Sequence, residues 1–311
     1  MHYEPATCPT MYFIGVTTGS SSIMRVFPRW AQALGLTNTV LKGIDIAIHA
    51  DKTTYREAVD FIRRDPLSLG ALVTTHKIDL YAACKDMFDY RDPYAERFGE
   101  LSSISKRDGL LCAHAKDPIS SGLAMEAFMP GDYWKTFGGD VMLMGAGGSA
   151  ISMGAYLMRE DHAGNMPSRI VVTNRSEPRL KEIERIFRSL NPGCVELEFH
   201  LCPTPTDNDR VLAALKPHSL VVNATGLGKD QPGSPLTDNA IFPDDSYVWE
   251  INYRGDLLFK RQAERQADER HLKIEDGWTY FLYGWTQVIS EVFHTPIEGA
   301  TFQRLAELAK L

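Results

Sequence analysis

The chain has 311 residues, of which 44% are hydrophobic and 23% charged, as in a globular protein large enough for two domains. Its formal net charge of −7, with no basic cluster, argues against nucleic-acid binding. No apolar run reaches the roughly 20 residues of a membrane helix, and the five cysteines form no CxxC pair, so we expect a soluble, cytoplasmic protein without disulfides, metal or membrane contact.

The first third of the chain predicts strands that alternate with helices. A helix should end near Gly35, and another should be capped by Asp51 or Thr53. Residues 101–115 are expected to form a hairpin that turns at Asp108-Gly109. Strands are expected over residues 12–17, 43–50 and 70–75. This order is typical of an α/β domain with a largely parallel sheet.

A second α/β unit is predicted after a stretch rich in proline and glycine at residues 129–139. Its predicted strands cover residues 140–144, 169–173, 195–200, 220–224 and 247–251. Strands separated by helices in this way indicate a doubly wound Rossmann sheet. We therefore expect a substrate domain over residues 1–128, completed by a C-terminal helix over 279–311, and a nucleotide domain over 129–278.

A glycine-rich loop joins the first strand of the second unit to the next predicted helix. Glycine allows a sharp turn and a close approach of the backbone to a pyrophosphate, and the helix N-terminus offers free N–H groups. A tight turn without a ligand is the alternative, but the strand-loop-helix context favours dinucleotide binding. The candidate residues are Gly145, Ala146, Gly147, Gly148, Ser149 and Ala150.

The end of the following strand favours NADP over NAD. NAD-binding folds usually carry an acidic residue there for the ribose 2′-hydroxyl, whereas this chain has Asn174, Arg175 and Ser176, with Arg179 one helical turn further on. A guanidinium can pair with a 2′-phosphate. Small residues at the end of a later strand would admit a flat nicotinamide ring; they are Asn223, Ala224 and Thr225.

The order of these motifs resembles that of the shikimate and quinate dehydrogenases over nearly the whole length. The matching segments are Ile14-Gly15 with the serine-rich loop, Val73–Lys77, Gly99 with the hairpin up to Asp117, the glycine loop, Asn174–Ser176, Asn223–Thr225 and Asp276-Gly277. The resemblance implies a lysine and an aspartate that handle the proton of the reacting hydroxyl. Lys77 and Asp117 occupy those positions, and a lysine can donate a proton as an ammonium and accept one as an amine.

The substrate motifs depart from the pattern of this family. Of its two carboxylate-binding serines, one matches Ser21 but the other falls on Ile23, with Ser20 or Ser22 as possible replacements. The remaining changes place Ser102, Ala115, Lys116 and Gly284 where the family has Asn, Asn, Thr and Gln, and the proline before the catalytic lysine is absent. Lys116 or His114 could supply a new anion contact, or could be outward strand residues. Further candidate substrate residues are Thr74, Tyr253 and Gln287.

These features favour a reversible, NADP-dependent oxidoreductase that acts on a small cyclic polyol or hydroxy acid other than shikimate. Each lost hydrogen bond to a buried hydroxyl weakens binding by about 1–3 kcal/mol. One alternative is a regulatory protein that binds the nucleotide but has lost catalysis, and another is a two-domain dehydrogenase of the folate type. We expect a small-molecule substrate and a monomer or homodimer.

Overall fold

The computed structural model describes residues 3–191, 193–229 and 231–310. They form two compact units, each containing a six-stranded sheet. The first unit runs to Lys116 and resumes at Gly284, and the second unit comprises Asp117–Tyr283. The α/β fold class predicted from the sequence is confirmed.

The first unit is built on a mixed sheet. Its elements are β1 (Thr10–Gly15), α1 (Ile23–Ala33), β2 (Val40–Asp45), α2 (Lys52–Arg64), β3 (Ser68–Val73), α3 (Lys77–Cys84), β4 (Tyr90–Arg91), α4 (Pro93–Phe98), β5 (Ser103–Arg107) and β6 (Leu110–His114). The strand order is β2-β1-β3-β5-β6-β4, in which β5 runs antiparallel to both of its neighbours. Asp51 accepts a hydrogen bond from Thr54 N–H and caps α2, which decides between the two caps considered.

The hairpin predicted for residues 101–115 is confirmed as β5 and β6. Its turn residues Asp108 and Gly109 both have positive φ, 52° and 79°, as a two-residue hairpin turn requires. The second predicted strand is displaced in sequence, because β2 pairs with β1 only from Val40 to Asp45. The chain leaves the sheet after Asp45, and the apolar alternation that predicted a strand as far as residue 50 is not paired.

The second unit is built on a fully parallel sheet. Its elements are α5 (Asp117–Glu126), α6 (Tyr133–Phe137), β7 (Asp140–Met144), α7 (Gly148–Leu157), β8 (Arg169–Asn174), α8 (Glu177–Leu190), β9 (Glu196–Leu201), α9 (Pro205–Leu212), β10 (Leu220–Asn223), β11 (Tyr247–Glu250), α10 (Leu258–Glu264) and β12 (Lys273–Glu275). The strand order is β12-β11-β10-β7-β8-β9. Strands β8 and β9 are added on one side of β7, and strands β10 to β12 on the other side. The crevice beyond the ends of β7 and β10 is therefore the topological switch point.

The last part of the chain forms two helices, α11 (Trp278–Phe293) and α12 (Gly299–Ala309). The sequence predicted one helix over residues 279–311, and this was wrong because Pro296, which has no N–H group, lies in the break. The division between the units falls within α11, at Gly284. In the first unit, Trp285 packs edge-on against Phe13 with ring centroids 4.9 Å apart, and Trp30 Nε1–H donates to Leu305 O at 2.8 Å.

Helix α5 follows residue 116 and belongs to the second unit, whereas the substrate domain expected from the sequence ran to residue 128. The reason lies in packing, because α5 contacts α7 closely. Gly122 of α5 lies so near Tyr156 that a Cβ atom at this position would be 2.1 Å from the tyrosine ring.

Candidate active site

The glycine loop of the second unit forms a tight turn at the switch point. Gly145 has φ +112°, and a Cβ atom there would lie 2.6 Å from Ala224 O. With any larger residue at position 145, the ends of β7 and β10 could not lie as close to each other as they do. The first hydrogen bond of α7 runs from Ile151 N–H to Gly147 O. The N–H groups of the preceding residues therefore face outward from the helix N-terminus, which suits a pyrophosphate.

The end of β8 offers a cation and no carboxylate. Asn174 Oδ1 accepts a hydrogen bond from Arg175 N–H at 2.8 Å, and the Arg175 side chain is exposed. Ser176 precedes α8, and the exposed Arg179 lies on its first turn. The first acidic residue after β8, Glu177, forms an ion pair with Lys181 at 2.7 Å. This arrangement fits a ribose 2′-phosphate better than a ribose 2′-hydroxyl.

The loop after β10 is held by the amide of Asn223. Its Oδ1 accepts hydrogen bonds from Thr225 N–H at 3.1 Å and from Thr225 Oγ1–H at 2.7 Å. Thr225 Oγ1 in turn accepts from Leu227 N–H at 3.1 Å. The fully buried Asn223 thus shapes the loop that the sequence predicts to lie beside the nicotinamide.

A buried carboxylate that the sequence analysis missed lies beneath this loop. Glu250 Oε2 accepts from Asn223 Nδ2 at 2.7 Å, and Glu250 Oε1 accepts from Asn252 Nδ2 at 2.6 Å. Both amides also donate to Leu227 O at 3.3 Å. Burial raises the pKa of Glu250 to about 7. A charged residue within the apolar run of β11 was the signal that could have identified it.

In the first unit, Lys77 is placed by the end of β3. Its N–H donates to Thr74 O at 3.1 Å, and its carbonyl oxygen accepts from Leu101 N–H at 3.3 Å. The Lys77 side chain is half-buried at the start of α3. The preceding residue, His76, is buried with Nδ1 3.1 Å from Tyr55 Oη. The start of α3 is therefore fixed on both sides of the lysine.

Residues of the hairpin lie at the same edge of the first sheet. Ser102 Oγ accepts from Lys116 N–H at 2.8 Å, which occupies one acceptor site of the hydroxyl proposed to bind substrate. Lys116 Nζ lies 2.5 Å from Glu291 Oε2. Its ammonium therefore has an internal partner. The next residue, Asp117, begins α5 in the second unit and is buried, with 8% of its surface exposed.

The serine-rich loop follows β1. Ser20 is exposed and its hydroxyl donates to Thr17 O at 2.9 Å, Ser21 N–H donates to Thr18 O, and Ser22 precedes α1. The residue after them, Ile23, is completely buried. The side chain at this position therefore packs in the core.

The last two substrate candidates lie in different units. Tyr253, in the second unit, packs against Phe281 and Trp278 with ring centroids 4.7 and 5.6 Å away. Gln287 lies on the part of α11 that belongs to the first unit and is half-buried.

Neither a metal centre nor a membrane span is found in the described part of the chain. No three or more His, Cys, Asp or Glu side chains in residues 3–191, 193–229 and 231–310 are grouped so as to hold a metal ion. Within the same ranges, every helix is too short or too polar to cross a bilayer.

The chain is similar to proteins of known function in both sequence and fold. It is 25% identical to the shikimate dehydrogenase (NADP(+)) of Streptococcus thermophilus over 250 residues, 80% of each chain. The quinate dehydrogenase of Corynebacterium glutamicum, solved with NAD, matches 97% of this chain and 98% of its own with a TM-score of 0.72 and 18% identity. No protein-family model matches.

A third protein carries the nucleotide that the sequence predicts. The shikimate 5-dehydrogenase of Thermus thermophilus, solved with NADP(H) and shikimate, matches 96% of this chain and 99% of its own, with a TM-score of 0.70 and 20% identity. These similarities support the interpretation as an oxidoreductase and the expectation of an NADP cofactor. They confirm that the chain resembles the shikimate and quinate dehydrogenases.

Proposed function

We propose that this chain is an NADP-dependent oxidoreductase that transfers a hydride reversibly between NADP(H) and a hydroxyl or ketone carbon of a small polyhydroxylated compound. The observation that carries the proposal is the turn at Gly145, which brings β7 within contact of Ala224 at the switch point. The similarity to shikimate dehydrogenases named for NADP+ supports the same reaction class.

The cofactor would be held by residues of the second unit. Backbone N–H groups from Gly147 to Ala150 suit the pyrophosphate, and Arg175 suits the 2′-phosphate. The loop at Thr225, anchored by Asn223, would face the nicotinamide. The expected preference for NADPH over NADH therefore depends on Arg175.

The proton would be handled by Lys77 and Asp117. When bound, the nicotinamide would supply the hydride acceptor for oxidation and the hydride donor for reduction. In oxidation, the carbinol carbon loses its hydrogen as hydride, and the hydroxyl loses its proton to the neutral amine of Lys77, which leaves a ketone. Asp117 would accept a hydrogen bond from the same hydroxyl and orient it. In reduction, the Lys77 ammonium returns the proton to the oxygen.

Substitution of Lys77 tests the assignment of the proton carrier. We expect Lys77→Ala to lower kcat by at least about 100-fold, since general acid-base catalysis contributes 10²–10⁴. The Kd for NADPH, measured by fluorescence titration, should stay within about twofold because Lys77 lies in the first unit, outside the proposed nucleotide-binding residues. Lys85→Ala, an exposed lysine just after α3, is the matched control and should retain full turnover. Unchanged turnover in Lys77→Ala would remove Lys77 from the mechanism.

Substitution of Arg175 tests the choice of nucleotide. Arg175→Ala should weaken NADPH binding by about tenfold or more and leave NADH binding nearly unchanged. The reason is that only NADPH carries the ribose 2′-phosphate with which the Arg175 guanidinium would pair. Arg188→Ala, whose guanidinium pairs with Glu184 on the outer face of α8, is the control. Equal losses for both nucleotides would contradict the assignment.

A further inference from the structure

We propose that the substrate of this chain is an uncharged polyol or the corresponding ketone, and that carboxylate-bearing compounds are disfavoured. The inference rests on the function proposed above and narrows its substrate class. It is carried by the charges that the first unit places at the carboxyl edge of its sheet, where Thr74, Lys77 and Ser102 lie.

Lys116, the cation that stands where the family has a threonine, is already paired within the first unit. Lys116 Nζ lies 2.5 Å from Glu291 Oε2, and His114 Nε2 lies 3.4 Å from Glu291 Oε1. Lys116 and Glu291 are largely buried, with 14% and 13% of their side chains exposed. Burial lowers the pKa of His114 to about 4, so the imidazole is neutral at pH 7. The ammonium is already neutralised inside the protein and is a poor partner for a substrate carboxylate.

Acidic side chains lie at the same edge of the first sheet. Asp45 ends β2 and accepts hydrogen bonds from Thr18 N–H at 2.8 Å and from the Thr18 hydroxyl at 2.6 Å. Glu100 is 3% exposed and directly precedes Leu101, whose N–H donates to Lys77 O at 3.3 Å. The lysine proposed for catalysis therefore lies within a few residues of a buried acidic side chain.

A third carboxylate follows β4. Asp92 Oδ1 accepts from Ala95 N–H at 2.7 Å and from Ala115 N–H at 3.2 Å, which places it beside the end of β6. With Asp45 and Glu100, it gives this edge three acidic side chains. Cations near this edge include Lys77, the already paired Lys116 and the exposed Arg25 on the first turn of α1. An incoming anion would meet like charge, which costs free energy in a partly desolvated site.

Two hydroxyl positions that could donate a hydrogen bond to a substrate carboxylate are lost or already used. The family resemblance puts a serine at position 23, but Ile23 is completely buried in the core face of α1. The Ser20 hydroxyl already donates a hydrogen bond to Thr17 O. A carboxylate leaving water needs hydrogen-bond donors, whereas sugar-like hydroxyls can themselves donate to carboxylate oxygens. The chemistry of this edge therefore fits hydroxyl groups better than an anion.

The direct experiment compares two substrates that differ at a single group, which is a charged carboxylate in one and a neutral ester in the other. Shikimate and its methyl ester, with NADP+, form such a pair, and uncharged cyclitols extend the series. We expect the ester to exceed the acid in kcat/KM by about tenfold or more, mainly through KM, since repulsion acts on binding. An acid that reacts as well as its ester, or better, would overturn the inference and leave the proposed function intact.

Variants identify the groups responsible. Glu100→Gln removes one negative charge from the edge, so it should narrow the difference in kcat/KM between ester and acid, and the exposed Glu4→Gln should not. If Arg25, an exposed cation on the first turn of α1, instead recruits the acid, then wild type will prefer the acid and Arg25→Ala will lose that preference. If no acid, ester or cyclitol reacts although NADPH binds, the proposed function fails and this inference fails with it.

Discussion

Among single residues, Glu250 is unusual because its carboxyl group is fully buried and its pKa is raised to about 7. Its carboxylate has no exposed surface and accepts hydrogen bonds from Asn223, from the Asn252 side chain and from Asn252 N–H at 2.9 Å. Asp276 adds to the effect of burial in raising its pKa. Burial disfavours the charged form, while three donors favour it, and the elevated pKa near 7 is the balance.

The pH dependence of stability should reveal this balance. Between pH 4.5, the ordinary pKa of glutamate, and pH 7, the folded chain binds more protons at Glu250 than the unfolded chain does. The contribution of Glu250 to stability is therefore present below pH 4.5 and is lost as the pH rises through 7. We expect the free energy of unfolding of wild type minus that of Glu250→Gln to fall by about 2–3 kcal/mol between pH 4.5 and 8.

Urea titrations at several pH values measure this difference. Glutamine cannot ionise, so any hydrogen bond that it lacks adds a constant offset and no slope. Other titrating groups, His114 among them, act on both proteins and cancel. A difference that is flat over this pH range would show that Glu250 titrates near its ordinary value.

At the scale of elements, the turn between β7 and α7 separates two roles of glycine. At Gly145 a Cβ atom would meet Ala224 O at 2.6 Å, and φ is +112°. At Gly147, φ is −97° and nothing lies within 4 Å of such an atom. Gly145 is therefore required by the packing of the turn. Gly147 instead leaves open space beside the turn, where a pyrophosphate would approach.

Alanine at the two positions should therefore give different results. Gly145→Ala should lower the free energy of unfolding by about 1–3 kcal/mol and weaken NADPH binding. Gly147→Ala should change stability little and still weaken NADPH binding by about tenfold, because the added methyl group occupies space needed by phosphate oxygens. Urea denaturation and fluorescence titration measure both quantities. Full NADPH affinity in Gly147→Ala would argue against a phosphate at this turn.

The ion pair between Lys116 and Glu291 joins the end of β6 to α11 within the first unit. Removing one partner leaves the other charge largely buried, so Glu291→Met alone should cost about 3 kcal/mol of stability. The double variant Lys116→Met/Glu291→Met should recover most of that loss, since two apolar side chains of similar size replace the pair. A double variant as unstable as the single one would show that Glu291 acts through other contacts.

The elements differ in how far the sequence could predict them. The hairpin at Asp108-Gly109 and strand β7 follow from local turn chemistry and apolar runs, and both were predicted within a residue or two. β2 was displaced, because only pairing with β1 decides where an alternating segment leaves the sheet. The Lys116–Glu291 pair joins residues 175 positions apart, and no local pattern carries such a contact.

At the scale of the whole molecule, the second unit alone carries the features that fit a dinucleotide. We expect NADPH to slow amide hydrogen exchange around residues 144–151, 174–179 and 223–228. The end of β9, at the edge of the same sheet, should be protected least and serves as internal control. Protection confined to the first unit would contradict the placement of the cofactor.

The two units also differ in how well the candidate site follows from sequence. Glycine turns and the missing acid after β8 are local features, so the nucleotide motif could be identified from the residues. In the first unit, whether a side chain such as Ile23 or Lys116 faces a substrate or a neighbour depends on packing, which the sequence alone did not decide.

Hydride transfer from NADPH to a ketone is the reaction that we propose for this chain. The most direct measurement uses NADPH deuterated at C4 of the nicotinamide with an uncharged polyol ketone, and detects the product by mass spectrometry. Deuterium on the newly formed carbinol carbon, from one face of the nicotinamide only and strongly reduced in Lys77→Ala, is the predicted result. Bound NADPH with no deuterium in any product, across acids, esters and cyclitol ketones, would rule out the proposed reaction for these compounds.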